Sequence, residues 1–494
     1  MMTDMSLSTD RRGDRAHLAI AAALLLAGLL LPWNIHVGLG IDATPGWVYA
    51  LLVVVTLAAL APLVDRWRRG AGAAESLRGP LTLPYLLVVA GFTVVSIVVA
   101  VRHTGTGAVA PGVGPGAWLG LAGALLAARP AQGAATETPG TATACRVLGV
   151  LSIVAGVGAA LLNLYLRTRY VVSGLGGAAG AANLMTAVSA LLFSVVAVVP
   201  VIIAGRWLIT GGAAARLATV VLGGSAGLAA TLVWVLPVGR DLDSFHGIAQ
   251  NTGTAGVGFE GYLAWVAAAA LVGPAVVAAV RSGDAARLWP AAARSTLILI
   301  AAWCGGTAVL RITGVALTGV LDLPGPPYNN TALMAADVIA AVIAIWLALN
   351  GTGRAAPRAV SAVLFGALSV VAVCRLILGV ALVPRSEPLN PGVINAVFGN
   401  SLSQQITSTF DVTVAVAAAV LLTAVWVTEI AARPVPPARP TPPAQRPAAA
   451  PKSAAPKSPA PKSAAPKIAA PPKIAAAGPP APPKIAAPPS ERPD

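Results

Sequence analysis

Long apolar runs without a polar face recur from residue 17 to residue 430 and govern the reading of the chain. "LVVVTLAALAPLV" and "AVIAIWLALN" show neither the 3.6-residue stripe of a soluble amphipathic helix nor the two-residue alternation of a half-buried strand. Runs of roughly 20 residues, at ~1.5 Å per residue, match a hydrocarbon core ~30 Å thick. Dividing the sequence at polar and Pro/Gly-rich breaks predicts twelve spans, over 17–36, 46–64, 82–101, 112–128, 147–166, 183–204, 217–236, 259–280, 295–317, 331–349, 359–383 and 407–430. The fourth, in "PGVGPGAWLGLAGALLAA", is short and glycine-rich. The expected fold is all-α: a polytopic transmembrane helical bundle over 17–432, in six helical hairpins, with a short segment 1–16 before it and a tail 433–494 after it.

The opening stretch "RRGDRAHLAIAAALLLAGLLLPWN" has the basic-then-apolar order of a signal peptide. It lacks a small-x-small cleavage site and its apolar run is long, so an uncleaved first span is expected. Composition agrees, since only 10% of the chain is charged, against roughly 25% in soluble domains.

Charge changes the picture through its placement. All six lysines lie beyond position 450, and the body uses arginine alone. With the N-terminus inside, the inner segments carry 17 arginines and the outer loops five (Arg102, Arg167, Arg169, Arg240 and Arg385). The positive-inside rule then places both ends in the cytoplasm of a cell bounded by this membrane. A nucleic-acid binder would carry its basic residues as a patch on a folded face, and here they flank apolar spans. From about residue 434 the sequence turns to Pro, Ala, Lys and Ser, as in "PAAAPKSAAPKSPAPKSAAPK". Such a segment builds no core and is expected to be disordered with polyproline II bias. Its partners would be anionic lipid headgroups, at ~1 kcal/mol per lysine near the surface, or a protein; the alternative is a solubilising tail with no partner.

Several chemistries fail on residue type. "GVGFEG" has the spacing of a dinucleotide-binding loop, but no strand precedes it. A Walker A loop and a lysine Schiff base both need a lysine that the body does not contain. Cys145, Cys304 and Cys374 are far apart and sit in or beside apolar runs, with neither disulfide nor metal spacing. No cofactor is implied.

What remains are charges inside the spans. Arg311 lies 17 residues after Arg294, and Arg375 lies 17 after Arg358, both measured from arginines at the inner edge. At ~1.5 Å per residue both stand ~25 Å into the membrane. Asp337 lies 17 residues before Arg354 and Asp411 lies 18 before Glu429, at nearly the same level. An intramembrane charge costs ~2.5–3.5 kcal/mol on insertion scales and finds a partner inside the bundle, or else snorkels to the interface. Arg311 with Asp337 and Arg375 with Asp411 are the expected pairs, a crossed pairing being open. Asn34, Asn163 and Glu260 fall near the same level and extend the candidate polar layer. A second candidate is the outer-loop cluster of Asp241, Asp243 and His246 in "VGRDLDSFHG", in which a divalent ion is conceivable but a solvated loop is the simpler reading.

The arginine-only, Ala/Val/Gly-rich body, the "LLLPWNIHVGLGI" first hairpin and the Pro-Ala-Lys tail resemble uncharacterised multi-pass inner-membrane proteins of GC-rich actinobacteria. The resemblance implies an inner-membrane location and supplies no active residues. Three function classes are open at this stage. A transporter or flippase would use the charged layer, a non-catalytic scaffold or partner subunit would use it for packing and the tail as a tether, and a polytopic glycosyltransferase would need paired acids where "VGLGIDATPG" offers only Asp42. The balance is against an enzyme.

Overall fold

The computed structural model describes residues 2–34, 36–69, 75–102, 112–129, 139–169, 171–235, 261–281, 285–322, 331–351, 357–382 and 409–431. Among them are twelve α-helices and no strand. They are α1 (Met2–Leu30), α2 (Gly46–Arg69), α3 (Glu75–Arg102), α4 (Pro115–Ala128), α5 (Pro139–Thr168), α6 (Gly180–Thr210), α7 (Ala213–Val235), α8 (Tyr262–Arg281), α9 (Ala285–Val320), α10 (Thr331–Trp346), α11 (Arg358–Leu382) and α12 (Thr409–Ala431). A π-turn, Leu347–Gly351, extends α10. Each helix coincides with one of the twelve apolar runs. Ten of them are long and apolar enough to cross a membrane, which makes this a polytopic membrane protein. Their outward faces agree: Val54, Leu87, Val363 and Ile377 are exposed apolar side chains that lipid would cover. The tail from Pro434 lies outside the described residues.

Consecutive helices pack in pairs (α1 with α2, α3 with α4, and so on to α11 with α12), and further contacts of α1 with α4, α4 with α8, α6 with α9 and α7 with α12 join the pairs. One large buried apolar cluster runs through the bundle, from Leu18 and Trp33 to Ala418 and Leu421.

The two helices that fall short of a full span are α4, with 14 residues, and the apolar part of α1, Arg15–Leu30. The sequence predicts α1 to run to residue 36; the helix stops earlier because Pro32 offers no amide hydrogen, and the chain turns with the Trp33 amide donating to the Val37 carbonyl at 2.7 Å. Helix α4 is buried on nearly every side. Its N-terminal amides are taken by the turn after α1, Gly114 N–H to Trp33 O at 2.5 Å and Gly116 N–H to Pro32 O at 2.9 Å. At the other end Arg78 Nη1 donates to Arg129 O at 2.8 Å and His17 Nε2 to Leu126 O at 3.1 Å. A helix too short to reach both interfaces is tolerated because protein groups satisfy its open backbone ends.

Close approach holds this half together. A Cβ on Gly28 of α1 would meet Gly120 Cα at 2.6 Å, and one on Gly123 would meet the Leu25 amide nitrogen at 2.7 Å. Small residues bring backbones near enough for dispersion to bind helices in lipid, where no hydrophobic drive acts between them. Trp33 anchors the turn, donating from its indole to Gly28 O at 2.8 Å and meeting Phe92 edge-on at 5.2 Å.

Candidate functional site

The last four helices meet around a buried ion network. Arg311 projects from α9, Asp337 from α10, Arg375 from α11 and Asp411 from the first turn of α12. All four side chains are at most 2% exposed. Arg311 Nε donates to Asp337 Oδ2 at 2.9 Å. Arg375 bridges the two acids, with Nε on Asp337 Oδ1 and Nη1 on Asp411 Oδ1. The arrangement therefore contains the straight and the crossed pairing at once, as one chain: Arg311, Asp337, Arg375, Asp411. Among these four residues two positive and two negative charges balance.

Neighbouring groups extend it. Trp303 Nε1 donates to Asp411 Oδ1 at 2.8 Å, and Arg375 Nη2 reaches Thr307 Oγ1 at 3.5 Å. Trp303, Thr307 and Arg311 stand four residues apart on α9, and that spacing puts them on one face. Asp411 gains a second favourable term from its position, because the N-terminus of a helix carries partial positive charge. Its other oxygen, Oδ2, is buried without a hydrogen-bond partner.

An aromatic row leads away from the network toward α4. Trp303 meets Phe410 at 4.6 Å and Phe410 meets Trp265 at 5.7 Å. Trp265 meets Tyr262 at 5.4 Å, and Tyr262 stacks on Trp118 at 4.7 Å. The row crosses α9, α12, α8 and α4 and lies in the main core. The indole nitrogens of Trp118 and Trp265 are buried without hydrogen-bond partners.

The other sequence candidates fall elsewhere. Asn34 is buried in the turn after α1, where its Oδ1 accepts the His36 amide at 2.8 Å. Asn163 lies on α5. Glu260, Asp241, Asp243 and His246 lie outside the described residues. Sequence reasoning missed Trp303 and Thr307 as partners of the charges. The signal was present, since a polar residue and an indole at four and eight positions before a buried arginine share its helix face.

No curated protein and no solved structure matches the chain. The family model described as a domain of unknown function, DUF7937, matches residues 18–430, the whole helical body, and the chain belongs to that family.

Proposed function

We propose that the protein is a non-enzymatic membrane scaffold or partner subunit, in which the Arg311–Asp337–Arg375–Asp411 network clasps α9 to α12 into one rigid unit. The observation that carries this reading is buried pairing: the four charges pair with one another within the bundle and are almost fully withdrawn from the surface. A transport site would present such charges to water rather than bury them in mutual ion pairs. The surface that a scaffold would offer its partners includes the Lys/Pro-rich tail. The arginine bias of 17 to 5 supports an inner-membrane placement with both ends cytoplasmic.

One observation favours a second reading. Asp411 Oδ2 has no hydrogen-bond partner among the described residues, and a transporter or flippase would use such an acceptor to take up a proton or cation while the clasp opens. A single experiment separates the two. The four charges are replaced together by apolar residues of similar volume (Arg311→Met, Asp337→Leu, Arg375→Met, Asp411→Leu), and the variant is expressed in a strain lacking the protein. A clasp needs shape and neutrality, so the folded, membrane-inserted variant should restore the wild-type phenotype. A variant that folds and inserts but fails to restore it would overturn the scaffold reading in favour of transport.

A further inference from the structure

The two acids of the ion network are not equivalent. Asp337 has one arginine on each oxygen, Arg311 on Oδ2 and Arg375 on Oδ1. Asp411 receives both of its donors, Trp303 Nε1 and Arg375 Nη1, on Oδ1. Its Oδ2 is buried with no hydrogen-bond partner among the described residues, on a side chain only 2% exposed. An oxygen that has given up water and gained nothing in exchange is costly inside a bilayer. It marks the place where a positive ligand would be gained.

The geometry narrows that ligand. A hard metal cation gathers about six or more oxygens, whereas one oxygen is enough for a proton. Once protonated at Oδ2, the carboxyl still accepts the Trp303 N–H at Oδ1. Asp337 is the poorer acceptor, because each of its oxygens would first have to give up a guanidinium. Among the described residues, the other titratable groups around Asp411 are Arg375 of α11, Cys304 and Arg311 of α9, and Tyr262 of α8, whose ring meets that of Phe410 at 6.3 Å. Helix α7 also packs on α12 and carries one titratable residue, Arg216, in its first turn.

We propose that Asp411 is a proton-binding site, and that taking up the proton releases α12 from α11. The proton comes from water and forms an O–H bond at Oδ2, after which the four side chains carry one excess positive charge. Asp337 keeps both arginines, while α12 loses the ion pair that ties it to α11. The proposal rests on the ion network that both readings of function share: in a scaffold the proton regulates the clasp, and in a transporter it is the coupled ion.

The test uses the full-length protein in phosphatidylcholine nanodiscs, titrated from neutral to mildly acidic pH. One readout is the infrared band of a protonated carboxyl. The other is alkylation of Cys304 by a membrane-permeant maleimide, relative to the unfolded chain at the same pH. Cys304 is buried beside Arg375, Asp337 and Asp411, and Cys145→Ala with Cys374→Ala leaves it as the one thiol. The expected result is a reversible carboxyl band that is missing in Asp411→Asn. Alkylation should accelerate along the same titration by up to about tenfold per pH unit, the limit for one proton, and should be fast at every pH in Asp411→Asn. If that variant fails to fold, Asp411→Glu takes its place: with isotopically labelled aspartate, the band shifts with the label in the wild type and not in the glutamate variant. No such band in the wild type overturns the proposal. So does a band that survives in Asp411→Asn or keeps its isotope shift in Asp411→Glu, or a band with no change in alkylation. Alkylation that follows sodium at constant pH, without the band, makes the ligand a metal cation and overturns it too. Neither readout uses the phenotype, so this proposal and the scaffold reading fail separately.

Discussion

Replacing Arg375 by methionine is the sharpest test of the ion network, because that residue touches both acids. The substitution removes one of two positive charges and leaves Asp337 and Asp411 to share Arg311, which reaches only the former of the two acids. Asp411 would keep the Trp303 N–H and the positive end of α12, with no cation beside it. Breaking one side of a buried ion pair costs about 3–5 kcal/mol, and leaving a charge unpaired within a membrane costs ~2.5–3.5 kcal/mol by an independent scale. The folded-to-unfolded ratio should therefore fall by about two to three and a half decades. Arg311→Met removes the same charge from the end of the chain, and Asp337 remains held by Arg375, so its cost should sit at the low end of that range. Removing all four charges together leaves none of these four ions unpaired, and apolar replacement of buried ion pairs is about neutral or stabilising by 1–4 kcal/mol in measured cases. The assay is reversible unfolding in mixed micelles by sodium dodecyl sulfate, followed by the fluorescence of Trp303 and its neighbours. The expected order of stability is quadruple variant close to wild type, then Arg311→Met, then Arg375→Met. An Arg375→Met protein as stable as the wild type would refute the account of the network, and so would a quadruple variant less stable than that single one.

Trp303→Phe keeps the ring against Phe410 and removes the N–H to Asp411. A hydrogen bond to a charged group is worth about 1.5–3 kcal/mol, and a loss of that size should appear in the same unfolding titration. Gly120→Ala would drive a Cβ to 1.8 Å from the Tyr85 hydroxyl; overpacking of this kind costs about 1–3 kcal/mol, and the melting temperature should drop accordingly. Tyr85→Phe alone should be close to neutral, because its buried hydroxyl has no hydrogen-bond partner to lose, and combined with Gly120→Ala it should recover part of the damage. Deleting 434–494 should leave the body in the membrane fraction on cell fractionation, since the family match ends at residue 430, before the tail.

The fold was legible because lipid leaves so little freedom. A chain that must satisfy every backbone group within hydrocarbon can only repeat the helix, and run length alone then gives number and order. The failures at helix ends have local causes, as at Pro32, where a polar turn folds back under α4 and looks apolar enough in sequence to continue the span. Counting from Arg294 and Arg358 put Arg311, Asp337, Arg375 and Asp411 at one level along their helices, and those four side chains meet. Azimuth was not legible, because a single sequence does not state which faces of α9 to α12 meet. The double contact of Arg375 and the arrival of Trp303 depend on that rotation.

The two ends of the sequence solve one physical problem in different ways. In lipid, helices gain nothing from hiding apolar surface from one another, so association needs either very close backbones or specific polar contacts. Helices α1 and α4 take the first route, with Gly28, Gly116, Gly120 and Gly123 at the crossing. Helices α9 to α12 take the second, with four charges that are stable only as a set. The consequences for variation are opposite. At the glycine crossing any added carbon is penalised and chemistry hardly matters. In the ion network size matters less than balance, so single substitutions are costly while coordinated ones are tolerated. Partners exchanged in concert among Arg311, Asp337, Arg375 and Asp411, against glycines that do not change at all, is the pattern of substitution that this architecture predicts across members of the family.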